Sequence, residues 1–479
     1  MNKIRLLCLT IVILLGLLAV SCGTESEGIT AFAHVNLVPM TGERILANHT
    51  VLVEGSRIAA IGDSDTLLIP EGARVLDGKG AYLMPGLADM HMHTRKDWDD
   101  KDVWPVHPLH LYLATGVTTV RDFAPQGSPL TYALRWRDEI HAGTRHGPTI
   151  YASGELLYAS PLDDPGAVVR HNHELGFDFL KLYSYLSPGD YHEAMAAAKE
   201  LGMYASGHIP YAVGLEGVLS EGMDEVAHVE ELLFEFIDMD RDQRLTPEAW
   251  LSHVVGAALA QWDLSSPSLL TDVQAADADT LKSIADRLRT ADVPVCTTMV
   301  IDDVIQRKLF HLGDFIERPE NGYLPAAYEE SLRRGEEKHQ VQFRGIEDLA
   351  AFKHAIDLWI LRGLHRDGVL LLLGTDAGTG GMGIVPGTSI HDELSILVEN
   401  GFTPYEAIAT GTVNAGIAIE RMTGDGDCGT IEEGKRADLI LVRGNPLEDL
   451  TTIREPLGVM AAGRWYDDQA LADLIEPDR

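Results

Sequence analysis

Two histidines separated by one residue, His91 and His93, stand directly after an apolar run at residues 83–88. In an extended chain, residues two apart point the same way, so both imidazoles can reach one cation. An isolated pair at this spacing is a weak signal. Its place at the end of an apolar run strengthens it, because ligands of parallel-strand enzymes stand at strand ends. Four more residues fall at corresponding positions. Lys181 lies in Phe179-Leu180-Lys181-Leu182-Tyr183, His208 follows Ala205-Ser206-Gly207, His228 ends Val226-Ala227-His228, and Asp376 sits in Gly374-Thr375-Asp376-Ala377-Gly378. Each has an ordinary structural reading. A lysine snorkels to solvent, a histidine hydrogen-bonds in a core, and an aspartate between glycines forms a turn. Six such residues at the same height of successive segments are harder to assign to chance. Together they offer imidazole, amine and carboxylate donors to metal ions.

The elements that must position them follow from the apolar pattern. Eight short runs, at residues 82–90, 117–123, 149–152, 177–182, 203–206, 225–229, 294–299 and 369–374, read as strands. Most are separated by stretches long enough for a helix, such as 188–201 with Met195, Ala198 and Leu201 on one face. Alternation of this kind indicates a parallel sheet, and eight units suggest an α/β fold of the (β/α)8 TIM-type barrel class. β-rich segments at 31–39, 50–61 and 74–83, and again at 437–442 and 459–464, predict a small β-sandwich made from both chain ends. The expected organisation is a signal segment at 1–22, a linker at 23–29, a composite small domain at 30–84 plus 427–466, a barrel at 85–426 and a tail at 467–479. Insertions at about 232–292 and 301–368 exceed a single crossover helix, and insertions after strands form lids or substrate walls. Leu281, Ile284, Ala285 and Leu288 mark one amphipathic helix within them. Thr403 and Pro404 mark a helix start.

The motifs Pro85-Gly86-Leu87-Ala88-Asp89-Met90-His91-Met92-His93, Gly116-Val117-Thr118-Thr119-Val120-Arg121-Asp122, Gly374-Thr375-Asp376-Ala377-Gly378, Gly429-Thr430-Ile431-Glu432-Glu433-Gly434-Lys435-Arg436-Ala437-Asp438-Leu439 and Gly444-Asn445-Pro446-Leu447 together resemble the amidohydrolase superfamily. The resemblance runs from about Thr30 to Arg464 and is nearest the imidazolonepropionase-like and Xaa-Pro dipeptidase-like amidases. It implies two divalent metal ions, with Zn²⁺ expected. His91, His93 and Asp376 would hold the more buried ion, and His208 and His228 the more exposed one. Lys181, carboxylated to a carbamate, would bridge them. It further implies attack by a metal-bridging hydroxide on an amide or peptide-like carbon–nitrogen bond, with Asp376 as the catalytic proton carrier. The sequence departs from the branch at Pro210, where relatives often carry a second histidine, and in the length of its insertions. Tyr183, Tyr211 and His391 are candidate substrate contacts, and Arg121 and Asp122 a candidate ion pair. His107, His110, His141, His171 and His173 read as surface histidines. Two rivals remain: a one-metal deaminase or cyclic-imide hydrolase, for which a bridging lysine is superfluous, and a non-catalytic ligand-binding lipoprotein.

Charge and export signals bound the partners. The formal net charge of -35 becomes -37 once Lys3 and Arg5 are removed with the signal segment, and such a surface repels phosphate backbones. Nucleic acid is therefore not expected, and the substrate is a small molecule or peptide-like. Lys3 and Arg5 precede an apolar stretch at 6–20 that suits a secretory signal. Leu18-Ala19-Val20-Ser21-Cys22 resembles a bacterial lipobox, which makes Cys22 a lipidation site. The expectation is an exported lipoprotein on the outer membrane, touching the membrane only through that anchor, with oligomerisation left open. Cys296 and Cys428 read as packing residues rather than a disulfide framework.

Overall fold

The computed structural model describes residues 28–241, 246–379 and 382–476. The signal segment and Cys22 lie outside the described residues. The chain begins with five strands, β1 (Thr30–Leu37), β2 (Leu46–Glu54), β3 (Arg57–Asp63), β4 (Arg74–Asp77) and β5 (Tyr82–Pro85). Three parallel strands follow, β6 (Leu87–Met92), β7 (Val117–Asp122) and β8 (Thr149–Ala152), which form one sheet in that order. A second parallel sheet contains β9 (Leu157–Ala159), β10 (Phe179–Tyr185), β11 (Tyr204–Gly207), β12 (Glu225–Val226), β13 (Val295–Cys296) and β14 (Leu371–Leu372). Helices separate most of these strands, as the apolar spacing predicts. The helix Pro188–Leu201 has the predicted bounds, with Ser187 as its cap and Met195 and Ala198 buried.

The two parallel sheets are linked on both sides. Met92 bridges Ala377, and Ser153 bridges Phe179. The Met90 amide donates to the Leu373 carbonyl at 2.8 Å, and the Asp178 amide to the Ala152 carbonyl at 2.8 Å. Met90, Phe123, Phe179, Tyr204, Cys296 and Leu372, all from the parallel-strand region, pack into one buried cluster beneath the strand ends. Cys296 is free and buried, as is Cys428.

The chain ends do meet, and they do so in a single eight-stranded sheet. Here β15 (Leu439–Val442), β16 (Gly458–Ala461) and β17 (Arg464–Asp467) extend it from β5, with Ile440 opposite Met84. Phe32, Val35, Val51, Leu83, Leu439 and Met460 form its core. The apolar run at 82–90 is therefore not one barrel strand. It is divided at Gly86, whose amide donates to the Asp438 carbonyl at 2.8 Å. A side chain at Gly86 would collide with Thr118, so the close approach of two sheets requires glycine there.

Three further departures have simple causes. β9 lacks a long apolar run and is held by parallel pairing with β10, so periodicity alone misses it. Arg121 and Asp122 do not pair with each other, because neighbours on a strand face opposite sides. Arg121 instead forms a bidentate pair with Glu225, and Asp122 accepts from the Thr94 amide at 3.1 Å. His107 and His110 are half-buried rather than surface residues, and His107 Nδ1 accepts from the Leu109 amide at a helix start.

The insertion after β12 contains the helices Pro247–Gln261, Leu269–Ala276 and Ala278–Ala291. Leu281, Ile284, Ala285 and Leu288 form the buried face of the last. The insertion after β13 contains the helices Val300–Phe310, Leu312–Ile316, Ala326–Arg333, Lys338–Gln342 and Glu347–Arg366. Pro404–Thr410 starts with the predicted cap. Thr403 Oγ1 accepts from the Glu406 amide, and Glu406 returns the bond.

Candidate metal centre

The ends of the parallel strands bring the six predicted residues around one cavity of about 510 Å³. His91 and His93 come from the end of β6, Lys181 from β10, His208 from just beyond β11, His228 from beyond β12 and Asp376 from beyond β14. The donor atoms of His91, His228 and Asp376 lie within 4.8 Å of one another. The ring centroids of His91 and His228 are 4.4 Å apart, and those of His208 and His228 4.8 Å apart. Lys181 Nζ stands 4.7 Å from the Phe123 ring, and the His91 ring stacks on the same phenylalanine at 3.9 Å.

Local backbone geometry explains the sequence around Asp376. This residue has φ +59, a region that aspartate tolerates better than most residues. A Cβ on Gly378 would overlap the His93 carbonyl oxygen, so the turn after Asp376 can pass close to β6 only as glycine. Asp89 ties the two strands together. It accepts from the His91 amide at 3.2 Å, the Thr375 amide at 3.1 Å and the Thr375 hydroxyl at 2.6 Å. Burial pushes the Asp89 carboxyl up to about 7 despite these bonds.

Three of the four histidine rings are held from behind. His93 Nδ1 lies 3.3 Å from the Ala124 carbonyl, an oxygen that can only accept, so this nitrogen carries a proton. In the neutral ring Nε2 is then a lone pair, and it faces Asp376 Oδ1 at 2.9 Å. His208 Nδ1 is 2.5 Å from Glu231 Oε1, and His228 Nδ1 is 2.9 Å from the Thr298 hydroxyl. Both rings are thereby oriented with their other nitrogen available, the usual support for a ligating imidazole. His91 is fully buried, and neither of its ring nitrogens has a hydrogen-bond partner. A buried polar atom without a partner is costly unless something else satisfies it.

The electrostatics favour neutral rings beside an ionised carboxylate. Burial, then the charge of Lys181, hold His91 and His208 well below the usual histidine range. Burial and His208 take His228 to about 3. Burial would raise Asp376, but the neighbouring His93, His228 and Lys181 side chains hold its carboxyl below the ordinary value. Burial brings the Lys181 amine down to about 8. The donor set is thus three or more imidazole lone pairs, one carboxylate and one amine with a reduced proton affinity. That set suits divalent cations such as Zn²⁺.

Residues 353–466 match the Amidohydrolase family. Ochratoxinase from Aspergillus niger is 25% identical over 473 residues, spanning 92% of this chain and 86% of that protein. Both findings point to the amidohydrolase superfamily. Among solved structures, a Xaa-Pro dipeptidase with methionine bound in its active site superposes with a TM-score of 0.64 at 19% identity, covering 92% of this chain and 100% of that one. A putative prolidase from Bifidobacterium longum superposes with a TM-score of 0.63 at 22% identity, covering 94% and 99%.

Of the three predicted substrate contacts, Tyr183 is the one on the wall of this cavity, with its ring 4.1 Å from that of His208. Tyr211 is not among the lining residues. Its ring stacks on Trp250 at 4.6 Å. His391 is also away from the cavity, buried with Nε2 2.9 Å from the Thr115 carbonyl. Sequence reasoning missed Glu231 and Thr298, which hold His208 and His228. Glu231 carried a signal, lying three residues beyond a candidate ligand, whereas Thr298 had none. It also missed the wall residues His339, Phe343 and Lys353, which reach the cavity from the second insertion.

Proposed function

We propose that this protein is a metal-dependent amidohydrolase that cleaves an amide or peptide-like carbon–nitrogen bond at the buried cluster. The linked parallel sheets are read as arcs of one (β/α)8 barrel, and the mixed sheet as the small β-sandwich domain. The observation that carries the metal reading is the facing pair at 2.9 Å, the His93 Nε2 lone pair and the Asp376 carboxylate, beside a His91 ring with no partner. With His93 in the tautomer set by the Ala124 carbonyl, electron-pair donors converge there, and a cation would satisfy all three.

His91, His93 and Asp376 would hold one ion, and His208 and His228 a second. Lys181 would serve both as a carbamate, formed when its neutral amine bonds to CO2 and loses a proton. An amine brought down to about 8 by burial has a larger neutral fraction at physiological pH than an ordinary lysine. Divalent cations bound here supply carbonyl polarisation and an acidic water. Asp376 accepts the proton of the attacking water and passes it to the departing amine. Glu231 and Thr298 keep His208 and His228 in their tautomers, and Tyr183 lines the approach to the substrate carbonyl.

Elemental analysis of protein made with Zn²⁺ and bicarbonate tests the site directly, with two ions per chain expected. One ion favours the deaminase-type rival, and none ends the metal reading. Lys181→Ala loses both ions' full occupancy and activity, partly restored by short carboxylic acids. Export and lipid attachment at Cys22 are carried as proposals from the sequence, tested by whether Cys22→Ser frees the protein from membranes in the native host.

A further inference from the structure

A second cavity of about 420 Å³ adjoins the metal-centre cavity. The two share seven lining residues, among them Tyr183, His208, Glu230, Lys338 and Lys353, so a ligand held at the cluster opens directly into the second chamber. The character of the walls changes across that boundary. Beyond it stand Trp250, Trp262, Phe234, Val254 and Leu349. Nearly all come from the insertions. Charge gathers at the boundary, where Lys353 and Glu230 are 2.8 Å apart and the exposed Lys338 also lines both spaces, while the wall beyond is largely apolar. Its volume is more than twice that of a cavity of about 150 Å³ that holds a benzene ring.

The helix Pro247–Gln261 supplies much of this wall and has an unusual composition for its place. It carries Trp250, Leu251, Val254, Val255, Ala258 and Leu259, yet only Trp250 and Ala258 are buried. Val254 and Val255 are half-exposed and line the chamber. Apolar side chains on a helix are ordinarily covered by the core. Here the inner row faces a space of ligand size that is continuous with the metal centre.

We propose that this chamber receives a bulky apolar, ring-bearing arm of the substrate, so that preferred substrates are amides with an aromatic or polycyclic group on one side of the scissile bond. The proposal rests on the amide-hydrolase reading of the adjoining cluster. The arm lies against Trp250, Trp262 and Val255, while the scissile carbonyl stays near His208, the candidate ligand common to both spaces. Small polar dipeptides leave the chamber filled with water and forgo the gain from removing apolar surface from solvent.

The test uses the full chain loaded with Zn²⁺ and two substrate series. In one, L-alanine carries an acetyl, benzoyl or 2-naphthoyl group. In the other, an acetyl group is joined to alanine, phenylalanine or 2-naphthylalanine. In at least one series kcat/KM rises by about 10-fold or more from the smallest to the largest member, since even one methylene in an apolar pocket changes it by about 10- to 200-fold. Val255→Trp fills the chamber and Val255→Asp charges it, at a half-exposed position on its wall. Each abolishes most of that ratio. Hydrolysis with no dependence on size, or a ratio unchanged in both variants, overturns the chamber while leaving the amidase reading intact. If no amide is cleaved, the amidase reading fails and the chamber is judged by binding. Titration with 2-naphthoate, followed by tryptophan fluorescence, should saturate in the wild type and weaken about 10-fold in Val255→Trp. Absent or unchanged binding overturns it independently of any activity.

Discussion

The cavity has a floor of side chains standing on the ends of parallel strands, and a wall of helices inserted after β12 and β13. On the floor, the side chains stand at or just beyond the ends of paired strands, and three of the four histidines have a partner behind them. Asp89 joins the His91 and Thr375 amides, and Arg121 and Glu225, both fully buried, clamp β7 to β12. The wall is held differently. Lys308, buried in the second insertion, donates to Glu337 at 2.9 Å and to the Met382 carbonyl at 2.9 Å. Its contacts join helices to one another and to the loop after Asp376, with no sheet ladder beneath. A floor of this kind keeps reacting atoms in register, as proton transfer requires. A wall packed from helices can vary its lining without disturbing them.

Four measurements sharpen or break this contrast. The largest effect is expected at the floor's chemistry. Asp376→Asn, loaded with metal, should lose about 10²- to 10⁴-fold in kcat with its melting temperature nearly preserved, because the amide cannot carry the proton. An equal fall in stability would mean that Asp376 serves the fold first. Next is the support beneath. Glu225→Gln leaves the Arg121 guanidinium buried without its counter-charge, and should cost about 3–5 kcal/mol in denaturant unfolding.

A smaller and more local effect is expected in the wall. Lys308→Met removes the donor shared by Glu337 and Met382, and should loosen residues 300–342 by about 1–3 kcal/mol. Hydrogen exchange should quicken there before it quickens in β6 to β8. Uniform acceleration across both regions would erase the distinction between floor and wall.

The smallest is a pH effect at the seam between them. The Glu393 carboxyl is buried and accepts from the Met299 and Val300 amides at 3.0 and 2.7 Å, where the wall's first helix leaves β13. Burial raises it from 4.5 to about 7. A raised carboxyl binds more protons folded than unfolded between those values. Its contribution to stability is therefore full below pH 4.5 and is lost as pH rises through 7. Glu393→Gln should flatten that part of the pH–melting profile, and an unchanged slope would remove Glu393 as its source.

The floor was also the legible half. His91, His93, Lys181, His208, His228 and Asp376 could be picked out because each follows a short apolar run, and side chains two apart on a strand share a face. The same logic failed where pairing rather than periodicity makes the strand. β9 went unseen, and the run at 82–90 concealed a crossing between two sheets at Gly86. Arg121 and Asp122 were paired by adjacency, although adjacent strand residues point apart. Tyr211 and His391 looked well placed in the chain. The structure stacks the first on Trp250 and buries the second against Thr115.

By itself the sequence determined the alternation of strands and helices, the joining of the two chain ends and the residue types that gather at the strand ends. These depend on local pattern, which a chain carries in its order. Only the tertiary structure decided that Glu231 and Thr298 stand behind His208 and His228, that Arg121 meets Glu225, and that the insertions line a second apolar chamber. Those contacts join residues as many as 104 positions apart, such as Arg121 and Glu225, and no periodicity reaches so far. They are set by how helices and strands pack, which depends on the shape of the whole fold rather than on any one segment.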